Sequence, residues 1–371
     1  MIFDAVRRPF VTLGMVVLGV LIFTAGCQQA PAASPTAAKP AGPAATSAPA
    51  QPAASAPTQA AAPAQAAPTK AAAASTWKPT RTIQFIVPFG AGTSADVGAR
   101  KLADLMEKQL GGTIEVVDKP GAGGAVGMAT VKGAKPDGYT ILWASAAMAT
   151  LPAIGNIDYD YKSFDNIAEV ATETVTLAVK ADGPYKTLAD FLAAAKTKPV
   201  SVGNSGIGSF THLAAVAIAS KTGSQFSHVA FGDSPAVTAV LGGHIDASVQ
   251  HPTEIMSSYK SGQARILGVT SAQRVPAFKD VPTFREQGVD LVMENWRGIA
   301  TPVGTPQDVR DAIEAATLAA AKSDDWKSYL NTVGSTLAIM GSKEYSAFVA
   351  DQQAQISQLA KQVNSGQPKK Q

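Results

Sequence analysis

Residues 83–100, IQFIVPFGAGTSADVGAR, constrain the fold of this chain more than any other stretch. The apolar run Ile83-Gln84-Phe85-Ile86-Val87, stopped by Pro88, suits a strand buried in a parallel sheet. Gly90-Ala91-Gly92-Thr93-Ser94 follows, small residues that let the backbone turn sharply and come close to a ligand. Ser94 has the chemistry of a helix N-cap, and Asp96 suits the positive first turn. Val97, Leu102, Leu105, Met106 and Leu110 then recur at helical spacing. A strand, a glycine turn and a helix N-terminus together predict an anion site of free backbone N–H groups. The pattern repeats further on. Val200-Ser201-Val202 leads through Gly203-Asn204-Ser205-Gly206-Ile207-Gly208-Ser209 into a helix over residues 211–221, with Ser209 as its N-cap.

Other short apolar runs alternate with helical patterns. Strands are expected at 113–117, 139–143, 175–179, 245–249 and 266–269, and helices at 188–196, 235–241, 307–321 and about 342–359. Such alternation implies parallel sheets with right-handed crossovers, and ligands gather at the carboxyl ends of their strands. The loops at Gly90, Pro120 and Ser145 converge there. Two anion-binding helix ends, one in each of two lobes, would make a clamshell for a small dianion. The expected division is 77–178 and 298–371 in lobe 1 and 179–297 in lobe 2.

The front of the chain speaks to location. Arg7 and Arg8 precede a run from Phe10 to Phe23 without charge, then Thr24-Ala25-Gly26-Cys27. A basic region, a short apolar core and small residues form an export signal over 1–26. The apolar run is short for a membrane span of about 20 residues. Cys27, the only cysteine, follows the small residues as in a bacterial lipobox, with Thr24 where that pattern usually has Leu. It is the expected lipidation site, and a single cysteine rules out an internal disulfide. Residues 27–76, nearly all Ala, Pro, Ser, Thr and Gln, form an expected disordered tether. The first 76 residues hold Arg7, Arg8, Lys39 and Lys70 against Asp4, so the 31 basic and 28 acidic residues balance at 27 each beyond them. That neutral balance gives no argument for nucleic acid.

A series of motifs then resembles one family. VPFGAGTSADVGAR, KPGAGG, PDGYT, GIGSFTHL, VLGGHID, VPTFREQG and WRGIATPVGTP stand in the order seen in the Bug, or TctC-type, solute-binding proteins of tripartite tricarboxylate transporters. The resemblance covers essentially the whole body from Trp77 to about Gln358. It implies a two-lobed α/β fold of the type II periplasmic-binding-protein kind, with a hinge. It also implies an extracytoplasmic receptor that captures a small organic carboxylate, with mono- and dicarboxylates, aromatic acids and amino acids all open, and delivers it to a membrane permease. The lipobox adds a lipid anchor, and a monomer is the default for such a receptor. Neither cofactor nor catalysis is implied.

Carried over by position, the ligand-binding residues are Phe89, Gly90, Ala91, Gly92 and Thr93 in the first loop. Asn204, Ser205, Gly206, Gly208, Ser209, Thr211 and His212 form the second, and Ser145 and Ala146 follow the third strand. Asp233, also counted among the ligand-binding residues, stands in a stretch where the family often has a basic residue, which disfavours a highly charged tricarboxylate. Asp96 pairs with Arg100 at i,i+4 on the structural reading. Trp296 either lines the cleft or packs the hinge. His228, His244 and His251 lack metal-ligand spacing.

Two other function classes fit parts of the pattern. GAGTSA at 90–95 matches the dinucleotide-binding signature, with Asp118 near the end of the next strand, so an exported nucleotide-dependent enzyme is the rival. No nucleophile elbow or metal cluster accompanies it. A co-receptor that signals through a membrane sensor differs from a transport receptor only in its partner.

Overall fold

The computed structural model describes residues 77–232 and 234–366, with side chains through 358. The signal, Cys27, the tether and Asp233 lie outside the described residues. Among those described, no helix is long and apolar enough to cross a membrane.

The chain opens with β1 (Ile83–Val87), α1 (Ser94–Leu110), β2 (Ile114–Asp118), α2 (Ala125–Lys132), β3 (Thr140–Ser145), α3 (Ala147–Ala153) and a long β4 (Phe164–Thr174). A second set follows: β5 (Thr176–Lys180), α4 (Leu188–Thr197), β6 (Val200–Asn204), α5 (Phe210–Thr222), β7 (Phe226–Ala230), α6 (Val237–Leu241), β8 (Ala247–Gln250), α7 (Pro252–Lys260) and β9 (Ala264–Val269). The return comprises β10 (Glu294–Pro302), α8 (Gln307–Lys322), α9 (Asp324–Val333), β11 (Thr336–Met340) and α10 (Ser342–Gly366).

These strands form two sheets with one plan. The first runs β2-β1-β3-β10-β4-β11 and the second β7-β6-β8-β5-β9. In each, the first three strands are parallel and the fourth is antiparallel, supplied by a segment that has just crossed from the other lobe. β1 is buried along its length except at Gln84, as a strand covered on both faces must be.

The crossings differ from the expected boundaries at 178 and 298. β5, within the second sheet, starts at Thr176, and β10, within the first, starts at Glu294. The chain therefore crosses at Val175 and returns between Val269 and Glu294. The two crossing segments are tied side by side. The Val175 amide donates to Thr270 Oγ1 at 2.9 Å and the Thr270 amide to the Val175 carbonyl at 2.9 Å. That ladder joins the two lobes where the chain crosses between them.

Candidate functional site

The first loop is shaped by its own side chains. Thr93, not Ser94, caps α1, because Thr93 keeps extended backbone while Ser94 is already helical. The Thr93 hydroxyl donates to the Gly90 carbonyl at 2.7 Å and accepts the Asp96 amide at 3.4 Å. Asp96 accepts the Gly92 amide at 2.9 Å and pairs with Arg100 at 2.6 Å. Gly92 is needed for its φ of +76° rather than for close approach, since the space around its Cα is open. Ala91 and Gly92 are exposed.

The second loop is similarly self-braced. Ser209 caps α5 by accepting the His212 amide at 3.2 Å. Asn204 Oδ1 accepts the Gly206 amide at 3.0 Å, Thr211 Oγ1 the Ser205 amide at 2.9 Å, and His212 Nδ1 the Gly208 amide at 3.3 Å. Burial holds the His212 imidazole down at about 4, with His228 adding to the effect, so it stays a neutral acceptor.

The lobes meet at these loops. The Gly90 amide donates to Gly232 at 3.2 Å, and the Thr150 hydroxyl on α3 to the Gly208 carbonyl at 2.6 Å. Gly123 lies so close to the second loop that a Cβ there would strike the Ile207 carbonyl. Between the lobes is a cavity of about 10 Å³, roughly the space of one water probe. Phe89, Thr93, Ser145, Ser205, Ser209 and Thr211 line it. Gly90, Gly206 and Gly208 serve the contact between lobes, Asn204 and His212 brace the loop, and the Ala146 amide is bonded to Asn295 at 3.1 Å.

The cavity floor is charged, which sequence reading missed. Arg297 on β10, 2% exposed, donates through Nε (2.8 Å) and Nη2 (2.6 Å) to Glu173 on β4, and through Nη2 to Ser94 Oγ at 2.8 Å. Burial pushes the Glu173 carboxyl up, but Arg297 and the Ser94 hydroxyl outweigh it and hold it below its usual value. From the second lobe, Glu254 on α7 reaches across, and its Oε1 accepts the Ser94 amide at 3.1 Å. Burial raises Glu254 to about 7. His251 bonds the Thr174 carbonyl through Nδ1 and Asn295 through Nε2, both at 3.1 Å. Burial lowers it to about 4, so it is neutral and carries its proton on Nδ1. Arg297 Nη1 and Glu254 Oε2 are buried without a partner. The WRG motif held Arg297 in view, but nothing in its spacing marks a side chain turned into the cleft.

Trp296 does not line this cavity. It packs edge-on against Tyr345 at 5.5 Å and Phe348 at 6.3 Å, under α10. A larger groove of about 470 Å³ lies there, with no cationic side chain in its lining. The dinucleotide reading meets bonds already made. Ser94 and Gly92 have given their amides to Glu254 and Asp96, and Asp118 pairs with Arg100 at 3.2 Å. Among the described residues, no group of three His, Cys, Asp or Glu could hold a metal.

Two α/β lobes of matching strand order, hinged and meeting over a buried polar cavity, define a type II two-lobed solute-binding protein. Residues 98–365 match the model of the tripartite tricarboxylate transporter family receptor, and the chain belongs to that family of periplasmic solute-binding proteins. It is 32% identical over 278 residues to the UPF0065 protein in the gbd 5'region of Cupriavidus necator, covering 74% of this chain and 84% of that one. A UPF0065 protein of Bordetella bronchiseptica is 34% identical over 242 residues, 64% of this chain and 72% of its own. The structure of the periplasmic binding protein BugD superposes with a TM-score of 0.74 at 30% identity, over 77% of this chain and 98% of that one.

Proposed function

We propose that the chain is an exported, lipid-anchored receptor that closes its lobes on a small organic carboxylate and passes it to a membrane permease. One observation carries the ligand class: the N-terminus of α5 opens on the cavity between the lobes. The amides of Phe210 and Thr211 have no intrahelical acceptor there. Both residues line the cavity with Ser205, Ser209 and the unpartnered Arg297 Nη1. A carboxylate placed among them gains charge-assisted hydrogen bonds and the favourable end of the helix dipole. Ser145, Ser94 and Thr93 face it from the other lobe, so the bound acid favours closure by touching both sides.

A thermal-shift panel on the full chain tests this, with mono-, di- and tricarboxylates alongside NAD and NADP. A ligand at a hundred times its dissociation constant adds about 2.7 kcal/mol. That corresponds to several degrees at roughly 2–4 °C per kcal/mol. Stabilisation by a carboxylate with silent nucleotides is expected; the reverse overturns the reading. The anchor is tested separately by cell fractionation. Cys27→Ser should move the protein from the membrane to the soluble fraction, and retention on the membrane would exclude lipidation there.

A further inference from the structure

We propose that the cleft ligand carries a cationic nitrogen beside its carboxylate, as an α-amino acid does, and that Glu254 receives that nitrogen. The inference rests on the carboxylate reading above and narrows it. Glu254 is about nine-tenths buried, lines the cavity, and uses only Oε1, on the Ser94 amide. Its Oε2 has no partner. A buried carboxylate oxygen left unpaired is costly, and a binding site that keeps one has a use for it.

The charges around it point the same way. Four groups face Glu254: the Ser94 amide on α1, Glu173 on β4, Arg297 on β10 and His251 at its own helix start. Arg297 is the single cation and is committed to Glu173 through two nitrogens. His251 is held neutral by burial, with its Nδ1 hydrogen given to the Thr174 carbonyl and its Nε2 facing Asn295. A ligand bearing only negative charge would therefore meet one cation and two carboxyl groups. A zwitterion satisfies both orphans of the floor, Arg297 Nη1 with its carboxylate and Glu254 Oε2 with its nitrogen, and adds no net charge to a buried site.

The proton balance supplies a signature. Burial raises Glu254 to about 7, so near neutral pH the carboxyl is partly protonated. An ammonium beside it drives the proton off, whereas a plain carboxylate beside it draws a proton on. The two ligand classes differ in sign.

The experiment is calorimetry on the full chain at pH 7, in two buffers of different ionisation heat. The probes are matched pairs: glutamate with glutarate, alanine with propionate, phenylalanine with 3-phenylpropionate. In at least one pair the amino acid should bind roughly ten- to hundred-fold tighter than its partner, with release of protons. Glu254→Gln should erase both the preference and the release, while Glu254→Asp keeps the preference in part. The wild-type pairs decide the matter even if a variant fails to fold. Plain acids that bind as tightly as their amino partners, or amino acids that bind with proton uptake, overturn the zwitterion and leave the carboxylate reading standing. Silence from every acid in both columns overturns the carboxylate reading itself.

Discussion

Glu169 and Glu173 sit four residues apart on β4, and burial acts on them with opposite results. Glu173 has Arg297 and Ser94 against it and stays ionised. Glu169 is fully buried, both its oxygens lack partners, and burial raises it to about 7. Its folded value lies above the 4.5 of the unfolded chain, so the folded form holds a proton that the unfolded form has lost. Stability from this group is complete below pH 4.5 and disappears as pH rises through about 7. Glu169→Gln keeps the shape and removes the titration. The variant should therefore gain on the wild type between pH 5 and pH 8 by about 2 kcal/mol, after allowance for partial screening. Thermal unfolding at the two pH values measures the difference, and parallel pH profiles for the two proteins would refute the assignment.

At the scale of elements, the sequence was readable wherever one face or one loop decided the structure. The strand–loop–helix units at β1–α1 and β6–α5 declared themselves through glycine, a hydroxyl cap and an apolar run. The helices over 188–197, 307–322 and 342–366 followed from periodicity. β4 did not. It buries Asn166, Glu169 and Glu173, so its polar residues break the apolar run that marks a covered strand. The cap of α1 slipped by one residue because Thr93 and Ser94 offer the same chemistry, and only backbone conformation separates them. The site was legible in its loops and not in its floor. Ser205, Ser209 and Thr211 lie in a recognisable loop, whereas Glu173, Glu254 and Arg297 come from three elements that sequence alone does not bring together. Gly123 is the reverse case. Its φ of +68° and its approach to Ile207 show why the KPGAGG loop needs glycine at this position: any side chain there would hold the lobes apart.

For the whole molecule, the two sheets have one strand order and exchange one strand each, so the two crossings meet as a short ladder. Such a hinge lets each lobe move as a body. Thr150 on Gly208, Gly90 on Gly232 and Ser94 on Glu254 are the bonds that closure makes between them. A cavity of about 10 Å³ is too small for an organic acid, so the proposed capture requires the lobes to part for entry and close again on the ligand. The direct measurement is the distance between lobes, by double electron–electron resonance on the full chain. Spin labels go on Thr130→Cys in α2 and Thr238→Cys in α6, both exposed positions, in a Cys27→Ser background. A carboxylate that binds should convert a broad distribution with a long-distance component into a single shorter distance. One unchanged distance, with and without an acid that calorimetry shows to be bound, would contradict capture by closure.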